Sequence, residues 1–231
     1  MTMEPMPDAQ ALEKPMAPPA AEHHEAPIAP PPAGPPPRER ARNIIIDVLL
    51  RRVHTLASLD AAVFLRINGW HHNAFNDRLM ADVSRLMLHG ELWVAAMFVA
   101  AILDRSARRE LILVALPALG IATLTVNYAL KPLFRRRRPF IHMVETVVVG
   151  RRPEDTSFPS GHTAAAFGGA WLLGAVYPEL APSFFLVAII VGITRVYLGV
   201  HFPTDVILGG LAGVALAIIY SQLLVVLVYH L

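Results

Sequence analysis

Long apolar runs with polar clusters at their ends constrain the fold of this chain more than any other feature. The clearest run extends from Leu111 to Leu130, and others extend from Ser183 to Val200 and from Thr204 to Tyr229. A helix that crosses a bilayer needs about 20 predominantly apolar residues. Charged residues make up only 16% of the chain, whereas soluble domains average about 25%. The sequence therefore predicts membrane-spanning helices.

Two shorter apolar segments complete the predicted membrane domain, which extends over residues 91–231. Glu91 to Leu103 is short for a span, and His162 to Tyr177 is rich in alanine and glycine, which allow close helix packing in lipid. No segment shows the apolar–polar alternation that is typical of β-strands. We therefore expect an all-α, polytopic membrane helix bundle with five transmembrane helices, or six if an element within residues 44–66 also crosses.

The first 90 residues divide into two further regions. Residues 1–42 are rich in proline and alanine, with twelve prolines among the first 37 residues, and we expect them to be disordered. Such a tail could dock on a proline-recognising partner, or it could be dispensable. In residues 43–90, Arg51 and Arg52 interrupt the apolar residues. This pattern predicts an amphipathic helix at the membrane interface or, alternatively, a soluble helix packed on the membrane domain.

Three polar clusters lie at the ends of the apolar runs. They are Lys131 with Arg138-Pro139, then Pro159-Ser160-Gly161-His162, and finally Arg195 with His201 and Asp205. An arginine at membrane depth costs about 2.5–3.5 kcal/mol on insertion scales, so it is seldom there without a partner. Since the clusters flank consecutive spans, a bundle of five helices brings all three to the same membrane face. The sequence therefore predicts one site on that face.

Phosphate binding is the chemistry that these residue types favour. Lys131, Arg138 and Arg195 can supply the cationic donors that a phosphate ester requires, and arginine offers bidentate geometry. Ser160 and Gly161 could add a hydroxyl group and backbone N–H groups at the start of a helix, where anions bind.

Two histidines can divide the catalytic work at such a site. His201 is suited to act as a nucleophile if Asp205, four residues later, holds its imidazole in one tautomer. His162 is suited to protonate the leaving oxygen. We expect a two-step displacement through a phosphohistidine, without a metal ion or other cofactor. The chain has no cysteine, which excludes thiol catalysis and thiolate metal sites.

The order and spacing of the clusters resemble the three-part motif of the type 2 phosphatidic acid phosphatase (PAP2) family, which shares its active site with vanadium-dependent haloperoxidases. The matching patterns are Lys131-x6-Arg138-Pro139, Pro159-Ser160-Gly161-His162 and Arg195-x5-His201-x3-Asp205, and the resemblance covers residues from about 60 to 228. It implies His201 as nucleophile, Asp205 as its partner and His162 as general acid. It also implies five phosphate ligands, namely Lys131, Arg138, Ser160, Gly161 and Arg195.

One position departs from the family pattern, and another could be matched to any of four consecutive arginines. Thr194 stands where the third motif usually begins with serine, so the hydroxyl group is retained. The six-residue gap after Lys131 selects Arg138 from four consecutive arginines. The other three, Arg135 to Arg137, are then expected to face anionic headgroups.

The membrane setting predicts a lipid phosphate as the substrate, surrounded by membrane lipids. Phe64 to Gly69 and Asn76 to Met80 resemble the leading segment of bacterial undecaprenyl-diphosphate phosphatases, which favours a prenyl diphosphate. Phosphatidate, phosphatidylglycerol phosphate and lipid A phosphates are alternatives, and so is phosphoryl transfer to another acceptor. The prenyl-diphosphate members of the family work on the outer face. We therefore expect an outward-facing site in a bacterial inner membrane, although the seven basic residues among 131–152 would place that loop inside by the positive-inside rule alone. We expect no nucleic-acid partner.

Proteins of two other classes could carry such residues. A haloperoxidase would share the site but would be soluble, and the apolar runs count against it. A non-catalytic scaffold or lipid-binding protein would keep the helices only as an anchor. The sequence does not predict an oligomeric state.

Overall fold

The computed structural model describes residues 54–230, and within them it contains helices and loops but no β-strand. The predicted tail, residues 1–42, and residues 43–53 of the lead segment lie outside the described residues. The all-α prediction is confirmed. The main helices are α1 (His54–Asn68), α2 (Ala74–Arg85), α3 (Glu91–Leu103), α4 (residues 108–134), α5 (Gly161–Val176), α6 (Ala181–Tyr197) and α7 (Pro203–His230).

Each of the five predicted spans corresponds to one of the helices α3 to α7. Within residues 54–230, three stretches are long and apolar enough to cross a membrane, namely Arg108–Ile141, Pro178–Tyr197 and Pro203–Tyr229. The other two helices are shorter, because α3 has 13 residues and α5 has 16. At about 1.5 Å per residue, neither reaches the full thickness of the hydrocarbon core. The described part of the chain is a polytopic membrane helix bundle that combines three long stretches with two shorter helices.

Helix α4 is continuous but contains two turns of π-helix, Leu111–Ala115 and Thr125–Leu130. Each π-turn ends just before a proline-containing segment, with Pro117 after the first and Pro132 after the second. A proline has no backbone N–H and clashes with the carbonyl group four residues earlier, so the preceding turn widens. The second widened turn lies directly before Lys131.

Helix α5 occupies the centre of the bundle and packs mainly on α6 and α7. Its contact with α7 depends on residues without large side chains. A methyl group added at Gly213 would overlap the backbone carbonyl of Ala164, and one added at Gly168 would come within 3.1 Å of the Gly213 carbonyl oxygen. The prediction that alanine and glycine in this segment allow close helix packing is therefore confirmed.

Helices α1 and α2 pack against α6, and α1 also touches α7. Asp60, Phe64 and Asn68 of α1 are buried, and so is Ser84 of α2. The Asn68 amide binds both backbone groups of Val147, with distances of 2.8 Å and 2.9 Å. The described part of the lead segment thus anchors the loop between α4 and α5.

The ends of the helices determine where the polar clusters lie. Helices α4 and α6 end, and α5 and α7 begin, at the same end of the bundle. The loops at that end carry Arg138, Ser160 and His201.

Candidate active site

A cavity of about 500 Å³ lies at this end of the bundle. Five of the predicted site residues line it, and they come from all three polar clusters. These five are Lys131, Arg138, His162, Arg195 and His201.

Arg138 is the most firmly held of the three cations. Only 2% of its surface is exposed. Its Nη1 donates to the carbonyl oxygen of Val200 at 2.7 Å, and its Nε donates to the carbonyl oxygen of Asp155 at 2.9 Å. These bonds join the loop after α4 to the loop that carries His201. The guanidinium group is therefore fixed before any ligand binds.

Arg195 lies in the last turn of α6 and is buried. One of its Nη atoms donates to the hydroxyl group of Ser84. Its Nε has no hydrogen-bond partner among the described residues. A buried N–H group without an acceptor costs desolvation free energy, and an anionic oxygen bound in the cavity would remove that cost. This N–H group is therefore available to a ligand.

Asp155 connects two of the cations. Its carboxylate accepts a hydrogen bond from Lys131 Nζ and another, of 2.6 Å, from Arg138 Nη2. Burial alone would raise the pKa of Asp155, but the Lys131 hydrogen bond and the two positive charges outweigh it and lower the pKa to about 2. The carboxylate is therefore ionised at neutral pH, and it occupies donors that a bound phosphate would use.

His201 lies in the loop between α6 and α7 and is almost fully buried. Burial lowers the pKa of His201 well below its usual value of 6.5, and the charges of Arg138 and Arg195 lower it further. The imidazole is therefore neutral at neutral pH. Its Nε2 lies 3.4 Å from Arg138 Nη1, so Nε2 can only accept, and the ring proton is assigned to Nδ1. The lone pair that could attack phosphorus is on the same atom that faces the cations.

Asp205 is fully buried in the first turn of α7. Its Oδ2 lies 3.7 Å from His201 Nδ1, which is longer than a hydrogen bond. The same Oδ2 accepts the backbone N–H of Phe202 at 2.9 Å. Oδ1 accepts from Arg136 at 2.7 Å. His201 and Asp205 are therefore neighbours, as predicted, but the Asp205 carboxylate is held by Phe202 and Arg136.

Ser160 and Gly161 lie at the start of α5 but are not part of the cavity lining. The Ser160 hydroxyl group caps the helix and lies 2.9 Å from the hydroxyl group of Thr163. A methyl group added at Gly161 would overlap the side chain of Asn127. Close packing between α4 and α5 therefore explains the glycine. Thr194 is also turned away, since its hydroxyl group donates to the carbonyl oxygen of Val191 within α6 at 2.7 Å.

The expectation that Arg135 to Arg137 all face headgroups is wrong for Arg136. Its guanidinium group is largely buried and forms ion pairs of 2.7 Å with Asp60 and with Asp205. Arg137 is exposed. The middle arginine turns inward because two buried carboxylates there need a cation.

Sequence reasoning missed four residues that contribute to the site, namely Asp60, Ser84, Asn127 and Asp155. Asn127 could have been noticed, because an amide within a membrane span usually has a partner or a function. The other three lie outside the polar clusters, and only the fold brings them to the cations.

A second cavity, of about 650 Å³, adjoins the first. The two share His89, Asn127, Lys131 and Asp155. The rest of its lining comes mainly from α4 and includes Gly120, Leu124, Tyr128 and Pro132. The Leu124 and Tyr128 side chains are exposed on a candidate membrane span. An apolar surface on the bundle is thus continuous with the charged cavity.

The chain is similar in sequence to a known protein family and to characterised phosphatases. A family model described as the PAP2 superfamily matches residues 111–228. The chain is 26% identical over 147 residues to Undecaprenyl-diphosphatase BcrC of Bacillus subtilis (strain 168), covering 63% of this chain and 74% of that protein. It is 28% identical over 172 residues to Lipid A 4'-phosphatase of Bacteroides thetaiotaomicron, covering 70% of this chain and 75% of that protein.

A solved structure supports the fold. It is the crystal structure of the first transmembrane PAP2 type phosphatidylglycerolphosphate phosphatase from Bacillus subtilis, with a TM-score of 0.55 and 24% sequence identity. The match covers 80% of this chain and 94% of that chain.

Proposed function

Because the chain belongs to the PAP2 superfamily, we propose that it hydrolyses a phosphate monoester or diphosphate of a membrane lipid through a phosphohistidine intermediate. The observation that carries this proposal is the position of His201. Its imidazole is buried and neutral, and its Nε2 faces a cavity lined by Lys131, Arg138 and Arg195. A nucleophile and the charge needed to bind phosphate therefore meet in one place.

The first step would transfer the phosphoryl group to His201. The Nε2 lone pair attacks phosphorus, an N–P bond forms, and the bond from phosphorus to the leaving oxygen breaks. His162, which must be protonated when the phosphate anion is bound beside it, gives its proton to that oxygen. Asp205, close to Nδ1, stabilises the positive charge that develops on the imidazole ring.

The second step would release phosphate. His162, which has lost its proton, accepts one from a water molecule as the water oxygen attacks phosphorus. The N–P bond breaks, its electron pair returns to Nε2, and inorganic phosphate leaves. The enzyme regains both histidines in their starting protonation states.

Metal independence is part of this proposal. In many phosphoryl-transfer enzymes a divalent cation neutralises the charge that develops on the phosphate oxygens. Here Lys131, Arg138 and Arg195 can neutralise it instead. The same positive charges would repel a divalent cation from the cavity.

A prenyl diphosphate such as undecaprenyl diphosphate is the favoured substrate. The second cavity supports a lipid, because its apolar lining on α4 would accept a hydrocarbon chain while the phosphate lies among the cations. The similarity to Undecaprenyl-diphosphatase BcrC supports the prenyl group. Lipid A phosphates are the main alternative, given the Lipid A 4'-phosphatase relative. Phosphatidate and phosphatidylglycerol phosphate, and phosphotransfer in place of hydrolysis, are further alternatives.

We also propose that the site faces the outer side of a bacterial inner membrane. The division into a tail (1–42), a lead segment (43–90) and a membrane domain (91–231) belongs to the same proposal, with the tail as a docking segment for a proline-recognising partner.

Phosphate release from a panel of purified lipid phosphates, with and without a chelator, tests the proposed function. We expect fastest release from undecaprenyl diphosphate, no effect of the chelator, and loss of release in His201→Ala. Absence of release by the wild-type protein would instead favour a non-catalytic scaffold, and full release by His201→Ala would show that the activity does not depend on this site. Abolition of release by the chelator would contradict metal independence.

A further inference from the structure

A second group of charged side chains lies outside the cavity lining and holds Asp205. Arg136 Nη1 donates to Asp205 Oδ1 and to the Thr204 hydroxyl group, both at 2.7 Å. Arg136 Nη2 donates to Asp60 Oδ2 at 2.7 Å. The guanidinium carbon also lies 4.2 Å from the centre of the Phe202 ring. One arginine thus connects α1, the loop after α4 and the start of α7.

Asp60 completes the group from the other side. Its Oδ1 accepts the Thr204 backbone N–H at 2.9 Å, and its Oδ2 accepts the Thr204 hydroxyl group at 2.6 Å. The N–H groups in the first turn of a helix have no partner within the helix. Asp60 of α1 therefore caps α7 from a distance of 144 residues along the chain.

Asp205 contributes to the same helix start. Its Oδ2 accepts the N–H of Phe202, the residue just before α7, as the third residue of a helix does in a capping box. Its other oxygen is bound by Arg136. Both oxygens therefore have fixed donors, and the carboxylate cannot rotate away from His201 without losing one of them.

We propose that Arg136 and Asp60 are positioning residues for the reaction. Arg136 holds the Asp205 carboxylate beside His201 Nδ1, and Asp60 holds Arg136 and the start of α7 in place. Neither side chain belongs to the cavity lining, so neither touches the phosphate. This inference rests on the proposed function, because it takes His201 as the nucleophile.

The chain offers a matched control for Arg136. Arg137 is the next residue, carries the same charge and is exposed. Arg137→Ala therefore sets the baseline for removing one cation from this loop. We expect the kcat of Arg136→Ala to be about 10²-fold below that of Arg137→Ala, because a nucleophile displaced by about 1 Å can cost that much. The KM values of the two variants should agree within about threefold, since Arg136 does not bind substrate.

Two further variants keep the test decisive if Arg136→Ala does not fold. Arg136→Lys can reach one carboxylate but lacks the fork that binds both, so we expect a kcat between those of the wild type and Arg136→Ala. Asp60→Asn leaves the Arg136–Asp205 contact in place but removes the charge that holds Arg136. We expect its kcat to fall by about tenfold with little change in KM.

The pH dependence of kcat/KM separates positioning from a purely structural role. The charged and titratable groups that act on His201 are Lys131, Arg138, His162, Arg195 and Asp205, and all are unchanged in these variants. Removing the positive charge of Arg136 favours protonated His201, so the acid limb should move to higher pH. Removing the negative charge of Asp60 should move it to lower pH. Loss of thermal stability alone would move neither limb.

A His201→Asn variant distinguishes failure of this inference from failure of the proposed function. If His201→Asn keeps its activity, the proposed function fails. If His201→Asn is inactive while Arg136→Ala matches Arg137→Ala in kcat and in pH profile, only the positioning role fails. Opposite shifts of the acid limb in Arg136→Ala and Asp60→Asn, together with the loss of kcat, support the inference.

Discussion

At the scale of single residues, Asp155 competes with the substrate for phosphate-binding donors. Its carboxylate accepts hydrogen bonds from Lys131 and Arg138, and a phosphate must share or replace these contacts. We predict that Asp155→Asn lowers the inhibition constant of inorganic phosphate by up to about tenfold, which corresponds to about 1.4 kcal/mol. Product inhibition of purified protein measures this directly. Weaker phosphate binding in the variant would contradict the competition and indicate that Asp155 instead orients the two cations.

The pH range of this contact follows from the direction of the pKa shift. The pKa of Asp155 falls from its usual 3.8 to about 2 in the folded protein. Its ion pairs therefore stabilise the fold fully at a pH above the pKa of the unfolded chain, and this stabilisation is lost as the pH falls through about 2. The charge of Asp155 should therefore be constant from about pH 5 upward, and any change in the effect of Asp155→Asn above that pH should follow the ionisation of phosphate itself.

The predicted cations and histidines could be found from sequence because their motif spacing and their positions at helix ends are local features. The side chains that hold these residues in place could not be found in this way. Ser84 contacts Arg195 across 111 residues, and Asp60 contacts Arg136 across 76. Such pairs depend on how α1 and α2 pack on the bundle, and nothing in the local pattern of residues 54–90 specifies that packing.

At the scale of elements, the end of α6 decides where His201 lies. The sequence predicted an apolar run to Val200, but the helix ends at Tyr197 because Gly199 has a φ of +75°. The N–H groups of Gly199 and Val200 donate to the carbonyl groups of Val196 and Arg195, as in a Schellman motif. His201 is thereby released from the helix.

This geometry predicts a strong effect of Gly199→Ala. A side chain there would need a left-handed backbone, and its methyl group would also overlap the carbonyl group of Val147. Gly150 is a matched control, since it has a φ of +83° but nothing lies within 4 Å of an added methyl group. Gly150→Ala should cost about 1–2 kcal/mol of stability.

We expect Gly199→Ala to cost more stability than Gly150→Ala and to lower kcat by about tenfold or more, because His201 moves. Thermal unfolding in detergent and steady-state kinetics measure the two effects. A kcat for Gly199→Ala equal to that of Gly150→Ala would show that the turn does not position His201.

At the scale of the whole molecule, all three polar clusters lie at one end of the bundle, so one labelling experiment assigns the side of the membrane. Val144 is 98% exposed in the loop at the site end, and Glu179 is exposed at the opposite end between α5 and α6. The chain has no cysteine, so Val144→Cys and Glu179→Cys each introduce a unique label. With an outward-facing site, an impermeant thiol reagent should label only Val144→Cys in intact cells. Labelling of Glu179→Cys alone would place the site inside.

The identity of the phosphorylated residue during turnover tests most directly whether His201 carries the phosphoryl group. Purified protein is mixed with a lipid substrate labelled with radioactive phosphorus and quenched in alkali within a single turnover. We predict label on the peptide that contains His201, stable in alkali and lost in acid, and no label on the His201→Asn variant. Label on another residue, or full turnover by His201→Asn, would contradict the role of His201 as nucleophile.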